Sequence, residues 1–497
     1  MNVLLIYPHY PDSFWSFKHA LRFISKKAAV PPLGLITVSA MLPSTWQKKL
    51  VDMNVTPLKT KDIQWADYVF ISAMYIQKES VDSVIVECVK QGVKIVAGGP
   101  LFTQEYQNYP QIDHLILNEA EITLPLFLND LQDGHPERIY KTTGFPDITS
   151  TPVPDFRLLS RKNYAFMNIQ VSRGCPFSCE FCEITSLFGH KVRMKSTKQI
   201  LNELETLYEL RWRGNVFIVD DNFIGNKIAI KHDLLPAMKE WMQERKHPFT
   251  FTTEASINLA DDDELLKLMA ETGFKAVFIG IETPEENSLQ ECNKVQNKNR
   301  DLLHSIRKIQ RAGLLVSGGF IVGFDSDSPS VFQKQIDFIQ QSGIVSAMVG
   351  LLNAPKNTQL YHRMEAEDRL ISESSGNNTD LSMNFIPRMN YHELIAGYKR
   401  IIRDIYTTKP YYKRIRRLLL NYKPHNTKPV RINFTTLKAC LKSIFIIGVI
   451  NKGRSDYWKL MIWTLFMRPA LIGDAIEYTI YGYHYRTVYG LGNKNKA

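Results

Sequence analysis

Cys175, Cys179 and Cys182 stand within eight residues of one another, in the run Ser172-Arg173-Gly174-Cys175-Pro176-Phe177-Ser178-Cys179-Glu180-Phe181-Cys182. Thiolates hold iron–sulfur clusters, normally four to a cluster, so three on one loop can wrap a cluster and leave one iron open to a substrate or cofactor. A tetrahedral zinc site is the rival use of these thiolates, with His190 as fourth ligand. Six cysteines in 497 residues do not make a disulfide framework, and Cys88, Cys292 and Cys440 read as ordinary buried thiols.

Hydrophobic rhythm shows which elements must position this loop. The loop follows directly on a predicted strand, 168–172, and further strand candidates come at 216–219, 249–253, 276–281, 316–322 and 347–352. Helix-period segments lie between them. Ser196 is placed to cap one that carries Ile200, Leu201, Leu204 and Leu207, and Asp261 with Glu264 resembles a capping box for another that stops at Gly273. Six β/α units predict an open, partial (β/α)6 barrel, short of the eight-unit form. The predicted strand ends carry Asp220-Asp221-Asn222, Thr253-Glu254, Gly280-Ile281-Glu282-Thr283 and Gly318-Gly319-Phe320-Ile321-Val322-Gly323.

On these motifs, residues 165–355 resemble the radical S-adenosylmethionine (SAM) family. The resemblance implies that Cys175, Cys179 and Cys182 hold a [4Fe-4S] cluster whose open iron takes the amino and carboxylate groups of S-adenosyl-L-methionine. One electron from the cluster then cleaves SAM to a 5′-deoxyadenosyl radical. It also implies that Phe181 lies against the adenine, and that Asp220, Asp221, Asn222, Glu254, Glu282 and Gly323 bind SAM. Carboxylates can hold the ribose hydroxyls and the ammonium, and glycine lets the backbone approach the adenine closely. Such chemistry needs an external one-electron reductant of flavodoxin or ferredoxin type.

Ahead of the barrel, residues 1–135 alternate strand-like runs with amphipathic segments, which predicts a doubly wound, Rossmann-like parallel sheet. Ligands of such sheets sit at the carboxyl ends of the strands, here Tyr7-Pro8, Ser72-Ala73, Gly98-Gly99-Pro100 and Asn118-Glu119. This order of domains resembles the cobalamin-binding branch of the radical SAM family. The resemblance implies cobalamin contacts at Pro32, Gly34, Gly98, Gly99, Pro100 and Glu119. The Asp-x-His-x-x-Gly motif that gives a histidine to cobalt in many cobalamin proteins is absent, and Asp113-His114 has the wrong spacing. Many cobalamin-dependent radical SAM proteins lack it too, which leaves the lower face of the cobalt to a nearby side chain or empty; the segment Met74-Tyr75-Ile76, with Tyr75, is the candidate for that face.

Residues 136–165 hold Pro136, Pro146, Pro152 and Pro154 and predict a linker; residues 166–355 form the expected barrel. Residues 356–497 are expected to be mainly helical, basic and aromatic, as over 392–405 and 459–478. Almost the whole chain resembles a radical SAM subgroup that has this characteristic C-terminal region and includes hopanoid methylases and bacteriochlorophyll side-chain methyltransferases. That implies a cobalamin-dependent methyltransferase acting on an unactivated carbon of a hydrophobic, lipid or tetrapyrrole-like substrate. Two other readings stay open. One is a cobalamin-binding radical SAM enzyme catalysing a non-methylating cyclisation, oxidation or rearrangement, and the other is a non-catalytic cobalamin- or zinc-binding module.

The net charge of +11 is concentrated in the tail: residues 409–497 carry 17 Lys/Arg and 3 Asp/Glu, a balance of +14 that leaves −3 for the rest. A basic tail with apolar, aromatic segments at 458–466 and 478–489 leaves three readings open: contact with an anionic membrane surface, contact with an acidic partner, or a helical cap on the open side of the barrel. No run of 18 uncharged apolar residues exists, and the N-terminal apolar run reads as a strand and not a signal peptide. The expected location is cytoplasmic, with peripheral contact at the inner membrane face. No RNA-binding motif accompanies the basic tail, so nucleic acid is not an expected partner.

Overall fold

The computed structural model describes residues 1–377, 379–425 and 434–491. Its chain divides into two compact units. The first comprises Met1–Pro11, Val30–Pro176 and Glu183–Asp221, and the second Asp12–Ala29, Phe177–Cys182 and Asn222–Ala497.

In the first unit, β1 (Asn2–Tyr7), β2 (Gln47–Asp52), β3 (Tyr68–Ser72), β4 (Lys94–Gly98), β5 (His114–Ile116) and β6 (Ile139–Tyr140) form a parallel sheet in the order β2-β1-β3-β4-β5-β6. Successive side chains of a strand point to opposite faces, and both faces are covered. Leu4, Ile6, Val69, Ile71 and Ile95 belong to one core, and Val3, Leu5, Phe70, Val96 and Ile116 to the other. Double burial is why these strands read as continuous apolar runs. The strand order reverses between β1 and β3, which puts the ligand crevice of such a sheet at their carboxyl ends. β6 falls inside the stretch expected to be linker: Leu117 N–H donates to Tyr140 O at 2.9 Å, and the Tyr140 hydroxyl to Asp130 at 2.8 Å.

The same unit pairs β7 (Met167–Ile169) in parallel with β10 (Gly214–Ile218). An antiparallel pair, β8 (Ser172–Arg173) and β9 (Arg193–Met194), brackets the cysteine run in sequence. Ser196 caps the helix Thr197–Glu209 through a reciprocal exchange with Gln199, as its spacing predicts.

In the second unit, β11 (Phe249–Glu254), β12 (Phe274–Glu282), β13 (Leu315–Val322) and β14 (Ala347–Leu351) pair consecutively and in parallel, with the helices Asp263–Thr272, Leu302–Arg311 and Val331–Ser342 between them. All six strands expected of the second α/β repeat are therefore present. One cap is displaced by a residue. Asp262, not Asp261, accepts the Leu265 N–H at 2.9 Å, and Asp261 pairs with Arg300. Gly273, at φ +109°, ends that helix.

The C-terminal region is helical: Tyr391–Tyr406, Thr408–Asn421, Phe434–Ser443 with a π-helical continuation Ile444–Ile450, Arg454–Met467 and Ile472–Val488. The helix expected over 459–478 is interrupted at Arg468-Pro469, where proline brings no N–H to continue the ladder. The segment 478–489, one of the two expected to suit a membrane, is largely core. Tyr485 is fully buried and stacks on Phe14 with ring centroids 4.2 Å apart, and His484 Nε2 lies 3.0 Å from Phe14 O. Among the described residues, no helix is long and apolar enough to cross a membrane.

Candidate functional site

The cysteine loop leaves β8 through Gly174, at φ +91°. A Cβ there would lie 2.6 Å from Lys191 O and 3.0 Å from Gly189 O, so only glycine fits. Cys175 N–H donates to Gly189 O at 3.3 Å. Asp220 latches the strand that launches the loop: Oδ1 accepts from Val171 N–H at 2.7 Å and Oδ2 from the Ser172 hydroxyl at 2.6 Å. Burial nonetheless pushes this carboxyl up to about 6. Both Asp220 oxygens are thus engaged within the protein.

Both flanks of the loop are held by the carboxyl edge of the first sheet. Arg173 reaches Glu119 Oε2 at 2.6 Å and Glu121 Oε1 at 2.8 Å, while Arg193 takes Glu119 Oε1 at 2.7 Å. Burial opposes the charge on Arg173, yet Glu121 and Glu119 keep its pKa above the ordinary value. Glu119, expected against cobalamin, has both oxygens occupied by arginines. On the other flank, Gln104 Nε2 donates to Glu183 Oε2 at 3.3 Å.

The segment from Phe177 to Cys182 belongs to the second unit. Cys182 N–H donates to Cys179 O at 3.1 Å, and Glu180 is held by its backbone, donating to Cys292 O and accepting from Leu360 N–H, both at 3.0 Å. Its carboxylate is taken bidentately by Arg363, at 2.6 and 3.0 Å, and Arg363 also reaches Asp325 at 2.7 Å. Gln296 Nε2 lies 3.7 Å from Cys179 Sγ, an N–H···S contact. Phe181 meets Phe324 edge-on, with centroids 6.4 Å apart.

Lys294 Nζ lies 2.6 Å from Glu282 Oε1 and 6.0 Å from the centre of the Phe181 ring. Burial works against its charge, but Glu282 and then Cys179 hold its ammonium well above the ordinary lysine range. Glu282 sits at a register shift in β12 with φ +62°, a left-handed conformation that costs a non-glycine residue about 1–3 kcal/mol. Asn297 Nδ2 steadies the bend by donating to Gly280 O and Ile281 O at 3.1 and 3.0 Å. A Cβ on Gly280 would lie 2.3 Å from Glu282 Oε1 and 2.7 Å from Lys294 Nζ, so glycine makes room for the ion pair.

Asp221 Oδ2 is buried without a hydrogen-bond partner, and burial, then neighbouring Asp220, raises its carboxyl to about 7. Asn222 Oδ1 accepts from Ser256 N–H at 3.1 Å. Glu254 is the last residue of β11 and is half-buried. Gly323, at φ +107°, donates its N–H to Asp327 Oδ2 at 2.9 Å.

At the carboxyl edge of the first sheet, Gly98 ends β4 and Gly99 follows at φ +94°. A Cβ on Gly98 would lie 2.6 Å from Ile116 O, and one on Gly99 2.9 Å from Ser72 Oγ, so the sheet itself requires both glycines. Pro100 opens the helix Pro100–Glu105, and Tyr75 lies half-buried in the turn Tyr75–Gln77 beyond β3. Pro32 precedes the helix Leu33–Met41; Gly34, in its first turn, is exposed, and a Cβ added there would meet nothing within 4 Å.

Three thiolates on one loop, all half-buried, are the kind of donor that iron–sulfur clusters take, and the amide on Cys179 and the ammonium of Lys294 would suit a cluster's negative charge. Buried acceptors without partners, Asp221 Oδ2, Gln104 Oε1 and Asn168 Oδ1, fit ligands rich in donors, as SAM and cobalamin are. Lys294, Gln296 and Arg363 carry no sequence signal that would have singled them out.

Residues 169–339 match the radical SAM superfamily, and residues 358–495 a domain of unknown function, DUF4070. An uncharacterized methyltransferase of Synechocystis sp., sll1242, is 41% identical over 98% of this chain and 91% of its own. The chain belongs to the radical SAM superfamily. Hopanoid C-2 methylase of Rhodopseudomonas palustris is 31% identical to this radical SAM chain over 95% of it and 90% of the relative. The fold is shared with the cobalamin-dependent S-adenosylmethionine radical enzyme OxsB, solved with aqua-cobalamin bound. Its TM-score is 0.63 at 15% identity, over 98% of this chain and 79% of that one. As a radical SAM enzyme, the protein uses a [4Fe-4S] cluster and SAM.

Proposed function

We propose that this radical SAM enzyme is a cobalamin-dependent C-methyltransferase acting on an unactivated carbon of a hydrophobic, lipid or tetrapyrrole-like substrate. The observation that carries this reading is the double tie between the first sheet and the cysteine loop: Glu119 with Arg173 on one flank, Gln104 with Glu183 on the other. A domain that merely preceded the barrel would not need to grip both. Full-length similarity to hopanoid C-2 methylase supports the activity and a hydrophobic substrate, and the OxsB-like fold supports cobalamin.

Cys175, Cys179 and Cys182 would hold the cluster; Phe181, Asp221, Glu254, Glu282 and Gly323 would surround SAM; and Pro32, Gly34, Tyr75, Gly98, Gly99 and Pro100 would border cobalamin. When bound, these groups supply the electron that cleaves SAM, the radical that removes hydrogen from the substrate, and the carrier of the methyl group. The chain's own part is to place and protect them. Arg363 fixes Glu180 between two cluster cysteines, Lys294 offsets negative charge at Cys179 and fixes the Glu282 carboxylate, and Gln296 donates to Cys179. Asp220 and Asn222 act one step back, holding the loops that carry the ligand-facing groups.

The reading includes a flavodoxin- or ferredoxin-like reductant and a cytoplasmic location, with peripheral contact at the inner membrane face through the basic C-terminal region. Anaerobic reconstitution tests it: iron, sulfide, zinc and cobalamin are measured, then 5′-deoxyadenosine and methylated product after reduction with SAM. About four irons, bound cobalamin and methyl transfer are expected. Zinc without iron would overturn the cluster assignment, and deoxyadenosine with no methylated product from any hydrophobic acceptor would overturn methyl transfer.

A further inference from the structure

Ten of the 24 exposed large apolar side chains among the described residues fall between positions 437 and 467. Scattered apolar exposure is ordinary on a protein surface, but a concentration marks a contact. This one lies on a helical hairpin, whose first arm is Phe434–Ser443 with its continuation Ile444–Ile450 and whose second is Arg454–Met467. On the first arm, Leu437, Leu441, Phe445 and Val449 recur every fourth residue and all are exposed, Phe445 by 61%. The π-helical turn holds more residues per turn than an α-helix and so keeps positions four apart in line.

On the second arm, Tyr457, Leu460, Met461 and Thr464 form the buried stripe. The opposite face is apolar as well: Trp458, Ile462, Leu465 and Phe466 are exposed, Phe466 by 83%. From Leu460 to Met467 the helix carries no charged side chain, so its outer side is apolar as well as its inner one, and here only the inner side has a core. The arms are tied at their turn, where Trp458 Nε1 donates to Gly448 O at 2.9 Å.

Charge surrounds these faces with one sign. Residues 434–468 carry Lys438, Lys442, Lys452, Arg454, Lys459 and Arg468 against a single acid, Asp456. The neighbouring helix Thr408–Asn421 adds Arg416, whose guanidinium lies 4.6 Å from the Trp463 ring.

We infer that this hairpin is a docking surface for an anionic lipid bilayer, lying in the interface with its outer apolar rows in the acyl boundary and its lysines and arginines among the headgroups. Trp458 suits the headgroup level. Charge decides the occupant. A second copy of the chain would set one basic collar against another, whereas an anionic bilayer complements it. The inference rests on the hydrophobic-substrate reading above and deepens it by naming the surface that meets the membrane.

The test is co-sedimentation of the reconstituted full-length protein with phosphatidylcholine vesicles, with and without phosphatidylglycerol. Binding is expected only where phosphatidylglycerol is present, and it should weaken with salt. Phe445→Ser with Phe466→Ser, and separately Lys452→Glu with Lys459→Glu, should each lower the bound fraction about tenfold. These side chains are exposed, so both variants should keep wild-type deoxyadenosine formation and thermal stability. Vesicle binding equal to wild type in both variants would sink the proposal. So would a protein that ignores vesicles but falls from dimer to monomer when Phe445 and Phe466 are changed. Methylation of substrate in detergent micelles is scored separately, so loss of docking and failure of the methyltransferase reading are told apart.

Discussion

Arg363 grips Glu180 with two parallel hydrogen bonds, at 2.6 and 3.0 Å, across 183 residues of sequence. Glu180 stands between Cys179 and Cys182, and Arg363 lies in the helix Gln359–Ala366, inside the DUF4070 match. The C-terminal region therefore takes part in shaping the cysteine loop. A planar guanidinium fixes both the position and the rotation of a carboxylate, which a lysine ammonium cannot do.

Replacing Arg363 with Lys should leave charge and helix content unchanged yet lower deoxyadenosine formation about 10- to 100-fold, as loss of a partner around a metal ligand does. The cluster's electron paramagnetic resonance spectrum should shift as well. Glu180→Gln should do the same, and the double variant little more, because both remove one interaction. An additive double variant with an unchanged spectrum would show that the pair serves only general stability.

The ion pair between Glu282 and Lys294 depends on Gly280, whose missing side chain leaves room for both charged atoms. Gly280→Ala should displace the Glu282 carboxylate and weaken SAM binding, measured by calorimetry, by about as much as Glu282→Gln. Losing one charge-assisted hydrogen bond predicts roughly tenfold or more. Unchanged SAM affinity in both variants would remove Glu282 from the SAM site.

Burial and Asp220 raise the Asp221 carboxyl from 3.8 to about 7. Between those values the folded protein keeps a proton that the unfolded chain has released, so this group lowers stability as pH rises through the window. Asp221→Asn removes that loss. Its Tm advantage over wild type should therefore grow as pH increases from the ordinary carboxylate range toward neutrality, part of the slope remaining because Asp220 and Glu203 are also raised, each to about 6. A constant Tm difference across the window would mean that Asp221 titrates normally.

Gly98 and Gly34 should respond oppositely. Gly98→Ala drives a methyl into Ile116 O, and forced contacts of that kind destabilise by about 1–3 kcal/mol. Gly34→Ala meets open space, so Tm should hold while cobalamin retention falls. Normal cobalamin content in a stable Gly34→Ala protein would take Gly34 out of the cobalamin contacts.

Local chemistry was legible in the sequence. The spacing of Cys175, Cys179 and Cys182, the strand rhythm of both α/β repeats, the cap at Ser196 and the stop at Gly273 each depend on neighbours within a few residues, and the structure carries those elements where the pattern puts them. The displaced cap at Asp262 marks the limit even there, since two adjacent aspartates offer the same chemistry and only the fold gives Asp261 to Arg300.

What the tertiary structure alone decided is partnership over distance. A glutamate at the end of a strand reads alike whether it faces a ligand or an arginine, and only the fold brings Arg173 and Arg193 to Glu119 and Lys294 to Glu282. The two aromatic C-terminal segments both read in sequence as suited to a membrane. The fold buries much of 478–489 against Phe14 and its neighbours and leaves one face of the helix Arg454–Met467 exposed, because periodicity says which residues share a face but not what covers it.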